Sequence, residues 1–139
     1  MYPPELVAPI EKDLTDFGFK SLSNADEVTQ FLENNAKEGT TLLVVNSVCG
    51  CAARHARPAV KSALQGDKSP NNLITVFAGV DTEATAKARE YLLPYPPSSP
   101  SIALFKDGEL VHMVERRHIE SNTAEAISQH LSAVFAEYC

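Results

Sequence analysis

TTLLVVNSVCGCAARHARPAV, residues 40 to 60, decides how this chain is read. Its first part, Thr40 to Val48, is an unbroken β-branched and aliphatic run, the pattern of a strand buried on both faces, and parallel strands are the usual owners of such runs. From Cys51 to Leu64 the spacing predicts a helix, with Pro58 removing a backbone hydrogen bond in its interior and kinking it. Between strand and helix stand Cys49, Gly50 and Cys51. A buried strand thus delivers a cysteine pair to the start of a helix, where metal binding, cross-linking and thiol chemistry are all open.

Reading outward, Leu73 to Val80 is a second buried strand, and Thr82 to Leu92 is a helix with Thr82 as its cap. Strand, helix, strand, helix predicts two parallel neighbours joined by a right-handed crossover. Upstream, Tyr2 to Gly18 reads as a helix with Leu6, Val7, Ile10, Leu14 and Phe17 spaced for one face. A second helix, capped by Ser23 or Asn24, runs through Glu38 until Gly39 stops it. Downstream, PYPPSSPS, residues 94 to 101, holds four prolines and reads as a stiff loop. SIALFKDGELVHMVE follows as two strands around Asp107-Gly108, a strong hairpin signal. Ser121-Asn122-Thr123 caps a last helix whose Ile127, Leu131, Val134 and Phe135 share a face. No repeat or linker divides the 139 residues, so residues 1–139 are expected to form a single α/β domain. Its central mixed sheet is flanked by helices, with additional helices at the N-terminus.

The charge of −6 argues against a general affinity for nucleic acid or anionic membrane. MYPPELVAPIEKDL lacks the basic and apolar regions of a secretory signal. The longest apolar run, Leu42 to Val45, is far too short to span a bilayer. The expected location is therefore the cytoplasm, where closely spaced cysteines are more often metal ligands or catalytic thiols than structural bridges.

A nucleophilic thiol must ionise near neutral pH, and a helix start supplies N–H donors and partial positive charge for that. Cys49 lies on the turn just before the helix. From Thr40 to Gly66 there is no Asp or Glu, while Arg54, Arg57 and Lys61 are present. Cys49 is accordingly expected to have a depressed pKa, and Arg54 and Arg57 are candidate anion-binding residues. Cys51, deeper in the helix, is placed to resolve a mixed disulfide at Cys49. The single intervening residue makes that bridge geometrically demanding, and Gly50 relieves part of the strain. A strained bridge is easily reduced, which suits an exchange catalyst. His55, four residues after Cys51, shares its helix face and is a candidate to stabilise a thiolate, to complete a soft metal site, or simply to sit at the surface. Cys49, Cys51 and His55 together fall short of the four ligands of a closed structural zinc site, so no metal ligand is assigned. His112, His118 and His130 show no ligand spacing with the cysteines. Cys139, the final residue, has no assigned role.

The order of these parts resembles the thioredoxin fold, in which a proline just before the hairpin lies beside the cysteine motif. Ser99-Pro100-Ser101-Ile102 stands at that position here, and the resemblance implies a cis bond at Pro100 with the backbone around Ser99 pairing to a bound disulfide substrate. The match is closer still: VNSVCGCAA followed by ARPA, YPPSSPSIALFKDGELVHM and ERRHIE resemble the bacilliredoxin family from the N-terminal PPEL to the last helix. That resemblance implies a thiol–disulfide oxidoreductase that takes bacillithiol from mixed disulfides on cytosolic proteins, with Cys49 attacking and Cys51 or a second thiol molecule regenerating it. The implied partners are bacillithiolated client proteins, bacillithiol as co-substrate and a thiol-recycling reductase, with no bound cofactor. Because bacillithiol carries carboxylates, Arg54 or Arg57 is expected to hold it. The chain departs from ordinary thioredoxins in having no Cys-x-x-Cys, no tryptophan and no buried acid in TTLLVVNSV. Monothiol exchange is therefore favoured over dithiol reduction. The alternatives are a weak protein disulfide isomerase or reductase using the same thiolate, and a metal-binding protein using Cys49 and Cys51.

Overall fold

The computed structural model describes residues 2–139. Its centre is β2 (Thr40–Asn46), buried along its whole length. Alternate side chains of β2 enter opposite cores, as a period of two requires. Leu42 and Val44 join Leu14, Val60, Ile102 and Leu131 on one face. Leu43 and Val45 join Val28, Ile74, Val76 and Ala88 on the other. β2 pairs parallel with β3 (Asn72–Phe77) and antiparallel with β4 (Ser101–Lys106), which continues into β5 (Glu109–Val114). A short β1 (Lys20–Ser21) adds to the far edge, giving the order β1-β3-β2-β4-β5. This is the mixed sheet expected, with the parallel pair and the hairpin in the anticipated places.

Helix α1 (Pro4–Thr15) and helix α6 (Ala124–Tyr138) contribute to the first core, together with α3 (Arg57–Ala63). Helices α2 (Ala25–Gln30) and α4 (Thr82–Glu90) cover the other face. Asn24 caps α2 by accepting from the Glu27 amide at 2.9 Å, and Thr123 caps α6 by accepting from the Ala126 amide at 3.0 Å. The expected cap of α4 is displaced by one residue. Asp81 holds that position, makes no side-chain cap, and its carbonyl accepts from the Thr85 hydroxyl at 2.8 Å. The second helix also stops short of Glu38: Phe31–Asn35 widens into a π-turn before the chain leaves for β2.

Pro58 produces no break. Ala52–Ala56 forms a π-turn, and Arg57–Ala63 restarts as α-helix with Pro58 in its first turn. The Arg57 amide bonds the Ala52 carbonyl five residues back, and this wider turn precedes a proline that has no N–H to give. A π-turn inserts a residue without ending the helix and is found often at functional sites.

The hairpin turn has Asp107 at φ 51° and Gly108 at φ 86°, the left-handed pair of a type I′ turn. Asp107 closes that end of the sheet, its carboxylate accepting from the Gly39 amide at 2.8 Å. Cys139 lies at the same end, its thiol 3.5 Å from the Thr40 hydroxyl. Among the described residues no helix is long and apolar enough to cross a membrane.

Candidate active site

At the opposite end of β2 the chain turns from Asn46 through Ser47 and Val48 into the cysteine motif. Cys49 stands where a helix cap would, its carbonyl accepting from the Ala52 and Ala53 amides, each at 3.2 Å. The Ser47 hydroxyl lies 3.1 Å from Cys49 Sγ, positioned to donate to the sulfur, while the Cys49 amide donates to that same hydroxyl at 3.3 Å. Partial burial by itself would push the Cys49 thiol up. The Ser47 hydroxyl, the Ala52 and Cys51 amides and the positive charge of Arg116 outweigh that burial and hold the thiol below its ordinary value. These groups favour the anion at Cys49, the nucleophilic form of a thiol.

The cation acting on Cys49 is thus one that the motif's own sequence does not contain. Arg116 opens α5 (Arg116–Glu120), a helix the periodicity of ERRHIE was too short to show. Its Nη1 donates to the Ser99 carbonyl at 3.3 Å, its Nε to Glu120 Oε2 at 3.3 Å, and its backbone amide to the Ser98 hydroxyl at 3.4 Å. Glu120 in turn lies 4.0 Å from Cys51 Sγ. Helix α5 therefore joins the cysteine motif to the proline loop. The Ser99–Pro100 bond is cis, and Pro100 is buried. Pairing of Ser101 with Val45 brings the loop to the end of β2 from which the motif departs.

The two arginines expected to bind an anion have different surroundings. Arg54 is exposed and folds back over Gly50, its Nη2 only 2.7 Å from where a glycine-to-alanine Cβ would stand. Arg57 instead points beneath the motif, with its side chain 8% exposed. Its Nε pairs with Asp13 at 3.1 Å, and its Nη1 donates to Asn46 Oδ1 at 2.9 Å and to the Ser47 carbonyl at 3.2 Å. Asn46 Oδ1 also accepts from the Ser47 amide at 2.9 Å. Arg57 is buried and held through Nε and Nη1. It fixes the turn that carries Ser47.

Lys61 is drawn to the same carboxylate, at 2.6 Å. The acid-free stretch from Thr40 to Gly66 is therefore not a free positive field, because Asp13 arrives from α1 and Glu120 from α5. Burial opposes the ionisation of Asp13, but its hydrogen bonds and proximity to Lys61 and Arg57 keep its carboxyl below the usual range. His55 is half-buried with Nδ1 enclosed. No group of three or more His, Cys, Asp or Glu among the described residues is arranged to hold a metal ion. Cys49, Cys51 and His55 thus do not converge as the metal site considered from sequence.

Ser47, Asn46, Asp13, Arg116 and Glu120 were not among the residues singled out from sequence. Ser47 had a local signal, a hydroxyl two residues before a thiol at a helix start. Asn46, Arg116 and Glu120 lie within stretches that carry the family resemblance, VNSVCGCAA and ERRHIE, but nothing local tied them to the thiol, and Asp13 had no signal.

Comparison with known proteins agrees with this architecture. Residues 2–139 match a family model described as disulphide isomerase. A bacilliredoxin of Cytophaga hutchinsonii is 56% identical over 137 residues, covering 99% of both chains. A bacilliredoxin of Halalkalibacterium halodurans is 53% identical over 138 residues, covering 99% of this chain and 94% of the relative. In fold the chain is similar to reduced Schistosoma mansoni thioredoxin, with a TM-score of 0.54 at 17% identity over 83% of this chain and 95% of that one. Mitochondrial thioredoxin 3 of Saccharomyces cerevisiae gives 0.51 at 16% identity, covering 81% and 98%. A thioredoxin-like sheet that presents a stabilised thiol at a helix start, within a chain so similar to these relatives, places the protein in the bacilliredoxin family of thiol–disulfide oxidoreductases.

Proposed function

We propose that the protein removes bacillithiol from mixed disulfides on cytosolic proteins. The observation that carries this reading is the setting of Cys49, where a hydroxyl, two amides and a guanidinium together favour the thiolate. The Cys49 thiolate attacks the bacillithiol sulfur of the mixed disulfide, forming a Cys49–bacillithiol disulfide and releasing the client cysteine as a thiolate, which takes a proton from water. Two routes then restore Cys49. Cys51, as its thiolate, attacks the Cys49 sulfur and expels bacillithiol, leaving an internal disulfide for a reductase to open. Alternatively a second bacillithiol thiolate attacks the bacillithiol sulfur bound to Cys49, releasing bacillithiol disulfide. Gly50 lets the motif turn tightly, and the backbone at Ser99 and Pro100 receives the chain flanking the client disulfide. No metal or bound cofactor enters either route.

The test is intact-mass spectrometry after mixing reduced protein with a bacillithiolated client. The wild type is expected to take up bacillithiol, Cys49→Ser to take up none, and Cys51→Ser to accumulate the adduct. A client that stays modified in all three would defeat the proposal. The description of the matching family model also favours isomerisation of protein disulfides. Recovery of activity from a scrambled disulfide protein, compared between wild type and Cys49→Ser, measures that second reading.

A further inference from the structure

We infer that Arg116, assisted by Arg54, is a specificity-determining residue that binds an anionic group on the low-molecular-weight half of the disulfide at Cys49. The inference rests on the proposed reading of Cys49 as the acceptor of that half, and it adds the charge class the site selects. The guanidinium of Arg116 is held between two walls, by the Ser99 carbonyl and the Glu120 carboxylate, through Nη1 and Nε. Nη2 takes part in neither bond, and the side chain is 45% exposed. It is a fixed cation that faces water. Arg54 lies over Gly50, between the two cysteines, so exposed guanidinium groups stand at two sides of the motif against the single carboxylate of Glu120.

The reaction changes what Arg116 balances. Before exchange its charge acts on the Cys49 thiolate. Once Cys49 has attacked, that negative charge has left with the client thiolate, and a neutral disulfide stands in its place. The guanidinium is then free to take a carboxylate on the newly attached thiol, an interaction in which planar donors and charge both count. An anionic adduct is thereby favoured over a neutral or cationic one at the step where the adduct forms. Arg57, buried on Asp13, has no part in this.

The test uses the full-length reduced protein in a Cys51→Ser, Cys139→Ser background and compares wild-type Arg116 with Arg116→Gln and Arg116→Lys. Cys49 is alkylated with anionic iodoacetate and neutral iodoacetamide at a pH where the thiol is fully ionised in every variant, so that thiolate fraction cancels. The iodoacetate-to-iodoacetamide rate ratio is expected to fall about two- to fivefold in Arg116→Gln and to be partly restored in Arg116→Lys, which keeps the charge but not the planar donors, as expected for one partly solvated charge contact. In parallel, a client carrying bacillithiol is compared with the same client carrying 2-mercaptoethanol. Arg116→Gln is expected to slow removal of the first much more than the second. An unchanged alkylation ratio in Arg116→Gln, or equal slowing on both clients, overturns the inference. A wild type that removes neither adduct yet shows the ratio change defeats the proposed function while supporting the anion site.

Discussion

Replacing Ser47 by alanine removes the donor 3.1 Å from Cys49 Sγ, which leads the groups that outweigh burial in holding the thiol down. A hydrogen bond to a charged acceptor is worth about 1.5–3 kcal/mol when fully enclosed. Cys49 is only half-buried, and water replaces part of the lost bond, so about 1 kcal/mol is the expected loss, a roughly fivefold weakening of the thiol's ionisation. The kinetic consequence has two signs. A higher pKa leaves less thiolate, but each thiolate is intrinsically more nucleophilic, with a Brønsted slope of about 0.4–0.5. Well below both pKa values, Ser47→Ala therefore alkylates about 2.5-fold more slowly than wild type. Well above both it reacts about twofold faster. Stopped-flow iodoacetamide alkylation across pH, with Cys51 and Cys139 replaced by serine, reads both limbs and the midpoint. Coincident profiles for the two proteins would refute the role given to Ser47. A uniform slowing at every pH would show that the hydroxyl positions the sulfur without stabilising its charge.

Two further outcomes follow from the same geometry. Arg57→Met takes one of two partners from Asn46 Oδ1 and from the Asp13 carboxylate, leaving the Ser47 amide and Lys61 in place, and urea denaturation is expected to show a loss of about 1–2 kcal/mol, below the value for a fully buried pair because both groups keep a partner and Asp13 is partly solvated. A loss under about 0.5 kcal/mol, the range of an ordinary surface change, would remove Arg57 from the framework. His112 and His130 bring their Nε2 atoms to 2.8 Å at the edge of a cavity of about 370 Å³ that His118 also lines. Burial first, then the neighbouring charges of His130 and His118, hold the His112 imidazole below its ordinary pKa, with Glu137 opposing. In that case the unfolded chain binds the proton more readily than the fold. The His112 contribution is therefore complete above the unfolded value of about 6.5 and is lost as pH falls from there through the folded value. Urea midpoints at pH 5 and pH 7.5 are expected to differ less in His112→Gln than in wild type, and an equal difference would sink the assignment.

What sequence could reveal here was local, and what it could not was the meeting of distant segments. The run Thr40 to Val45, the Asp107-Gly108 turn and the Thr123 cap announce themselves because their physics is contained in a few neighbouring residues. The thiol's place at a helix start was visible for the same reason. Arg116 and Glu120 were hidden because nothing near Cys51 shows that a carboxylate 69 residues away will lie beside it. Arg57 was misjudged for a related reason. A basic residue in an acid-free stretch looks solvated until Asp13 from α1 is brought beneath it. Pro58 signalled a kink, and the chain carries a π-turn, Ala52–Ala56, ahead of the proline within a helix that continues to Ala63.

The length of β2 also fixes what the last cysteine is able to reach. Cys139 rests beside Thr40 at the start of that strand, whereas Cys49 lies beyond its other end at Asn46. At about 3.3 Å per residue the strand alone separates them by roughly 20 Å, several times the Cα spacing a disulfide allows. A bond between these thiols can therefore form only between two molecules. Because they occupy opposite poles, two copies that form both such bonds must lie antiparallel about a two-fold axis, whereas a single bond leaves one Cys49 and one Cys139 open to further copies.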